Sequence, residues 1–229
     1  MLSFAEFCAG IGGFRLGLER IGWNCVFSCE IDDQCENTYE ANFQTGFNEY
    51  DIADIRPSEL PYFDVLCAGF PCQSFSIAGK RLGFDDRRGN IIFYLLEIIK
   101  FVQPPIILLE NVPNFASHNN GSTLRTLKDE LRSMGYSVSF ATLDSSFFDI
   151  PQQRKRLYIV GFHQDTNNAF SFMRKRTESI PFRPFIEYGD YSIPISNKWQ
   201  EYIDLYTGRK TLDQISFSVP KTRTALEGI

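Results

Sequence analysis

Leu2-Ser3-Phe4-Ala5-Glu6-Phe7-Cys8-Ala9, running into Gly10-Ile11-Gly12-Gly13, opens the chain with an apolar run and a glycine-rich turn. The run reads as a strand from Leu2 to Ala9, and the residues from about Phe14 to Ile21 read as the helix that follows it. Glycines at such a turn let backbone approach a ligand closely, and the helix N-terminus beyond them favours negative charge. The dinucleotide pattern G-x-G-x-x-G is not met, because Arg15 stands where the third glycine belongs. Taken alone the turn is weak evidence, since many such turns serve only tight packing.

Outward from this unit the same grammar repeats. Cys25 to Cys29 reads as a second strand, with a helix beginning near Asp32, an acidic residue suited to a helix start. Asp64 to Ala68 is a further strand, and Asn90 to Phe101 carries apolar residues at 91, 92, 95, 96, 98, 99 and 102, the spacing of a helix with a broad buried face. Ile106 to Leu109 is wholly apolar, as a central parallel strand buried on both faces requires. Thr123 to Met134 is an amphipathic helix that stops at Gly135. Ser137 to Leu143 and Leu157 to Phe162 are two more strands. Alternation of this kind predicts an α/β fold, a doubly wound and mostly parallel sheet with helices on both faces. The expected organisation is a catalytic and cofactor-binding domain over residues 1–162, then an irregular extension over 163–229, rich in Asn, Ser, Pro and Tyr.

At 229 residues and 43% hydrophobic composition, one good core can be buried, and 22 phenylalanines make it aromatic. No run is long and apolar enough to span a membrane. Met1-Leu2-Ser3-Phe4 leads into the first strand without the basic region and cleavage site of a secretory signal, so free thiols in a reducing cytosol are expected. The six cysteines lack paired CxxC spacing and only two histidines are present, which argues against a zinc site. A net charge of -5 does not advertise a nucleic-acid binder. Lys80, Arg81, Arg87 and Arg88 nevertheless cluster, as do Arg154, Lys155 and Arg156, and a global sum hides such patches.

Chemistry gathers at Gly69-Phe70-Pro71-Cys72-Gln73-Ser74-Phe75-Ser76. A thiol presented at the carboxyl end of a buried strand is placed to act as a nucleophile, because ligands of open α/β sheets bind in that crevice. A small buried cysteine behaving as a hydrophobe is the competing reading. Glu30 ends the second strand, where a carboxylate can accept both ribose hydroxyls of a nucleoside. Asp51 and Ile52 could offer an acceptor and an apolar shelf to an adenine. An adenosine ligand without pyrophosphate suits this set, and S-adenosylmethionine is the candidate. Either carboxylate in isolation reads equally well as a solvated surface group.

The glycine turn, Gly69-Phe70-Pro71-Cys72-Gln73, Glu110-Asn111-Val112 and Gln152-Gln153-Arg154-Lys155-Arg156 occur in that order. Together they resemble the catalytic domain of the DNA (cytosine-5) methyltransferases, in particular the bacterial restriction-modification type, from about Phe4 to Phe162. The resemblance implies the sheet of S-adenosylmethionine-dependent methyltransferases, with Cys72 as nucleophile, Glu110 as acid, and Arg154 and Arg156 holding the base carbonyl and neighbouring carboxylates. It implies cofactor contacts at Gly10, Ile11, Gly13, Glu30, Ile31, Asp51, Ile52, Pro71 and Ile91. Where the family usually has an aromatic before Ala-Gly this chain has Cys8, and Phe7 one step earlier is expected to supply the ring.

Under this resemblance the Cys72 thiolate adds to carbon 6 of cytosine and so makes carbon 5 nucleophilic, while Glu110, expected to be buried enough to hold a proton, assists at ring nitrogen 3. The base must first leave the duplex, and Gln73 to Arg88 reads as the loop that closes over it, with Gln73, Ser74, Ser76, Lys80, Arg81 and Arg88 toward DNA. The family's recognition domain and final cofactor-pocket segment have no counterpart here. Two explanations stay open: a second polypeptide carrying both is expected as a partner beside duplex DNA, or the chain is a shortened product of an interrupted gene with little activity alone. Transfer RNA as substrate and a catalytically idle module are the other readings.

Overall fold

The computed structural model describes residues 1–71, 91–166, 170–172, 197–206 and 208–216, in two compact units, Met1–Pro181 and Phe182–Ile229. In the first unit, β1 (Ser3–Phe7) is followed by α1 (Gly13–Arg20), β2 (Asn24–Cys29), α2 (Glu36–Phe43) and β3 (Val65–Ala68). Then come α3 (Ile91–Val102), β4 (Ile106–Asn111), the single turn α4 (Asn114–Ser117), α5 (Ser122–Ser133), β5 (Tyr136–Asp144) and β6 (Lys155–His163). The six strands lie in the order β2-β1-β3-β4-β6-β5. The first four are mutually parallel, as expected.

The chain leaves β1 toward β2 on one side and returns to β3 on the other. This reversal opens a crevice at the carboxyl ends of β1 and β3, the place where open α/β sheets bind ligands. β1 stops at Phe7 rather than Ala9 because Cys8 turns into the left-handed region, φ 52°, which no strand continues. At its other end, the Ser3 N–H and hydroxyl donate to Asp64 Oδ2 at 2.7 and 2.9 Å, fixing β1 against the entry to β3. Asp32 begins the next helical segment as its sequence suggests, accepting from Gln34 N–H at 3.0 Å in a short 3₁₀ turn that leads into α2.

The pair β5 and β6 departs from the parallel scheme. β6 inserts between β4 and β5 and runs antiparallel to both. Only a short 3₁₀ turn, Ser145–Phe147, lies between β5 and β6, and a connection of ten residues is too short for the crossover that a parallel neighbour needs. The consequence for the site is large: antiparallel register sets Glu110 opposite Tyr158 and Asn111 opposite Leu157, so the start of β6 lies beside the end of β4.

One face of the sheet carries the main core. Ala5, Phe7, Leu66, Ala68, Ile107, Leu109, Leu157 and Ile159 pack there against α3 and α5. α3 alone buries Ile92, Leu95, Leu96, Ile98 and Ile99, each contributing about 1.5–3 kcal/mol relative to an exposed side chain. α5 buries Leu124, Leu127 and Leu131, and the chain turns at Gly135, φ 92°. The opposite face is thinner, with Phe4, Val65 and Cys67 covered by Phe14 and Leu18 of α1 among partly buried neighbours. In the second unit, α6 (Asn197–Tyr206) carries Glu201, whose carboxylate accepts the Ser216 N–H at 2.8 Å and its hydroxyl at 2.6 Å.

Candidate functional site

Two clusters of polar side chains face the carboxyl end of the sheet. The first gathers at β1 and β2. Gly10 and Gly12 take φ of 55° and 85°. An added Cβ at Gly12 would lie 2.1 Å from Phe43 Cε2, so α2 packs where a side chain would stand. An added Cβ at Gly10 or Gly13 meets nothing within 4 Å, which leaves open space over the turn. Glu30 holds the turn in place: Oε2 accepts the Gly10 N–H at 2.7 Å and Oε1 the Asp32 N–H at 2.9 Å. Each oxygen keeps a further acceptor direction for a ligand hydroxyl.

Below this turn lies Glu6, fully buried on β1. Its Oε1 accepts the Tyr39 hydroxyl at 2.5 Å and its Oε2 the Arg15 N–H of the first turn of α1 at 3.3 Å. Arg15 in turn donates to the Tyr39 oxygen at 3.1 Å and to Thr45 at 2.9 Å. Burial outweighs these bonds and pushes the Glu6 carboxyl up to about 7. Sequence reading passed over this residue, because one acidic position in an apolar strand carries no pattern of its own.

Of the expected cofactor residues, Gly10 and Glu30 are hydrogen-bonded to each other, and Ile11 and Ile31 stand exposed beside them, at 57% and 64%. Asp51 caps a short 3₁₀ turn by accepting the Ala53 N–H at 2.9 Å, with Ile52 largely buried behind it. Pro71 is exposed after β3, and Ile91 is half-buried at the start of α3. Phe7 is a correction. It is fully buried and packed on Phe27 and Phe63, so no ring surface is left for a cofactor. Side chains alternate across a strand, and Phe7 falls on the core face. Cys8 instead sits near Glu30; burial first, then that carboxylate, pushes its thiol up to about 12, which keeps it neutral.

The second cluster forms between β4 and β6. Arg156 Nε meets Glu110 Oε1 at 2.7 Å. Glu110, Ser145, Arg154, Arg156 and Tyr158 supply the polar side of a cavity of about 280 Å³, and Leu143, Phe148 and Ile150 its apolar side. The expected acid and both arginines therefore share one pocket. Glu110 differs from expectation in being 24% exposed and ion-paired, because the antiparallel register brings Arg156 to it. Burial, then the Glu110 carboxylate, raises the Tyr158 hydroxyl above the usual phenol range and keeps it a donor. Tyr158 was missed in sequence, although its alternation with Arg154 and Arg156 along one strand face marks it.

β3 delivers its own carboxyl end to this pocket. An added Cβ at Gly69 would lie 3.6 Å from Glu110 Oε2. The buried Asn111 donates from Nδ2 to the Phe70 carbonyl at 2.8 Å and accepts the Val112 N–H at 2.9 Å. The backbone leading through Pro71 is thus tied to the end of β4. Cys72, Gln73, Ser74, Ser76, Lys80, Arg81 and Arg88 lie outside the described residues.

The sequence pattern of the C-5 cytosine-specific DNA methylases matches residues 2–218. The chain is 45% identical over 203 residues to the Type II methyltransferase M.BsuFI of Bacillus subtilis, covering 87% of this chain and 49% of that protein. It is 39% identical over 222 residues to the Type II methyltransferase M.HhaI of Haemophilus parahaemolyticus, covering 96% and 66%. Among solved structures, the S. pombe Dnmt2 methyltransferase shares the fold, with a TM-score of 0.66 at 24% identity over 88% of this chain and 67% of that one. The chain thus spans between about half and two thirds of the length of these curated relatives.

Proposed function

We propose, on the premise that this chain belongs to the C-5 cytosine-specific DNA methylase family, that it transfers a methyl group to carbon 5 of a cytosine in a specific duplex DNA sequence. The observation that carries this reading is the pocket where Glu110, Arg154 and Arg156 meet beside the strand end that leads into Cys72. Its counterpart is the open glycine turn held by Glu30, which suits an adenosine bearing no pyrophosphate. S-adenosylmethionine, when bound there, supplies a methyl group on a sulfonium.

In this reading Glu30 takes the ribose hydroxyls, Asp51 faces the adenine amine, and Ile11 and Ile31 cover the rings. The Cys72 thiolate forms a bond to carbon 6, and the displaced π pair makes carbon 5 the nucleophile. Glu110 and its paired Arg156 balance the charge that develops on nitrogen 3 and the adjacent carbonyl, in a pocket that orients them before reaction. Carbon 5 accepts the methyl group and then loses its proton, and the sulfur–carbon bond breaks to restore the ring. The base reaches the pocket only by leaving the helix, at a cost of a few kcal/mol. A companion polypeptide that contributes to target recognition and to the cofactor pocket is part of the same proposal.

The test is methyl transfer from labelled S-adenosylmethionine, run on duplex DNA and on transfer RNA in parallel. Cys72→Ser is expected to abolish transfer to DNA while leaving cofactor affinity within about twofold, since the thiol acts on the base alone. Retained transfer in that variant, or label entering transfer RNA but not DNA, sinks the reading.

A further inference from the structure

The loop of ten residues between β5 and β6 carries Arg154 as its last member, immediately before the ladder pair Asp144–Lys155. The Arg154 guanidinium has no ion-pair partner among the described residues, so its height over the pocket is set by its backbone. One residue fixes that backbone. The Ser145 hydroxyl donates to the Gln152 carbonyl at 2.5 Å and accepts the Arg154 N–H at 3.1 Å. Its own N–H donates to the Arg154 carbonyl at 3.1 Å, and its carbonyl accepts the Phe148 N–H at 3.0 Å. Three of these bonds from a single serine close the base of the loop, two of them through one hydroxyl, and the fourth closes the short turn to Phe148.

Neither the length of the loop nor its other bonds would do this alone. Asp144 spends its carboxylate chiefly on the Ser146 N–H and hydroxyl, at 3.1 and 2.9 Å, and the Arg154 N–H and the Lys155 charge act on it more weakly from across the loop. The Gln152 N–H reaches back no further than the Ile150 carbonyl, at 2.8 Å. Across the mouth of the loop, beside the backbone bond from Ser145 to Arg154, the Ser145 hydroxyl joins Gln152 and Arg154 through one side-chain atom. Gln152 and Arg154 are exposed, so water can take over their bonds at little cost to folding. What water cannot replace is the fixed direction in which Arg154 leaves the loop.

We propose that Ser145 is a positioning residue for the target nucleotide: its hydroxyl sets Arg154 at the rim of the Glu110 pocket, and substrate specificity and rate at that pocket depend on the bridge. The proposal rests on the reading of this pocket as the cytosine site. Alanine at 145 removes donor and acceptor together, whereas threonine keeps both.

Two measurements on the full chain decide it. The first is hydrogen exchange at the Arg154 amide, which requires no catalysis. Ser145→Ala should speed exchange about tenfold or more, and Ser145→Thr should restore protection, because exchange follows opening of the bond. The second is a cycle of methyl transfer to duplex DNA with Ser145→Ala, Arg154→Ala and both together. Ser145→Ala should lower kcat roughly 10- to 100-fold with the duplex KM little changed, the scale of a misplaced orienting group. In the Arg154→Ala background it should cost nothing further, as expected of residues acting as one unit. The thermal midpoint should move by no more than about 3 °C. Unchanged Arg154 exchange, or additive losses in the cycle, overturns the assignment of Ser145. A parent chain that transfers no methyl group to DNA counts against the reading of the pocket instead, and the exchange measurement still decides the positioning of Arg154.

Discussion

The parallel half of the sheet and its antiparallel end build their polar clusters in opposite ways. At β1 and β2, the carboxylates take backbone N–H groups from nearby in sequence, Gly10 to Glu30 and Arg15 to Glu6, and Glu6 adds the hydroxyl of the more distant Tyr39. At β4 and β6, partners are far apart, Glu110 with Arg156, and strand register joins them. The first cluster is embedded in the packing of α1 and α2, whereas the second is partly exposed to solvent. Damage to the first should therefore appear as lost stability and damage to the second as lost turnover.

The sharpest break of that contrast is Gly12→Ala. Left-handed backbone costs about 1–2 kcal/mol for a non-glycine residue, and a Cβ placed 2.1 Å from Phe43 Cε2 adds overpacking of about 1–3 kcal/mol. Chemical denaturation should show a loss of about 4 kcal/mol. A loss under about 1 kcal/mol would mean that α2 is not wedged against the turn.

Glu6 supplies the next test, through pH. Burial holds its folded carboxyl up at about 7, against the ordinary 4.5 of the unfolded chain, so the folded state keeps a proton that the unfolded chain releases in that interval. Stability from this group is therefore greatest below about pH 4.5 and declines as pH rises to about 7, by roughly 3 kcal/mol in all. Glu6→Gln should remove that part of the slope. Denaturation of both proteins at pH 5 and pH 8 measures it, and identical slopes would refute the buried acid.

Arg156→Ala probes the other half. Its ion pair with Glu110 is about a quarter exposed, so stability should fall by no more than about 1 kcal/mol. Turnover on DNA should fall about 100-fold, the scale of losing one oriented charge-stabilising donor. Equal losses in folding and turnover would erase the distinction between the two clusters.

Much of this architecture was legible in the residues. β2, β3, α3 and α5 fall within a residue or two of their expected limits, because apolar periodicity reports the face that each element buries. Glycine and acidic punctuation located the turn after β1 and the start before α2 for equally local reasons. Strand pairing was not legible: nothing within Lys155–His163 says that it inserts between β4 and β5, since the same alternation fits either direction. That gap carried over to the site. Glu110 and the arginines were named, but their ion pair follows from antiparallel register. Phe7 was misassigned because the turn at Cys8 fixes which side of β1 each residue faces. Ser145 has an ordinary residue type and gains meaning only from its bonds across the loop, whereas Tyr158 carries a signal in its alternation with the two arginines.

Glu30 accepts one amide from each side with no ligand in place. The loop is accordingly shaped during synthesis of the fold, and an incoming guest spends none of its affinity on freezing it. Discrimination among similar guests must then come from how well each matches a finished mould. Association should be fast and nearly independent of viscosity-coupled rearrangement on this side of the molecule.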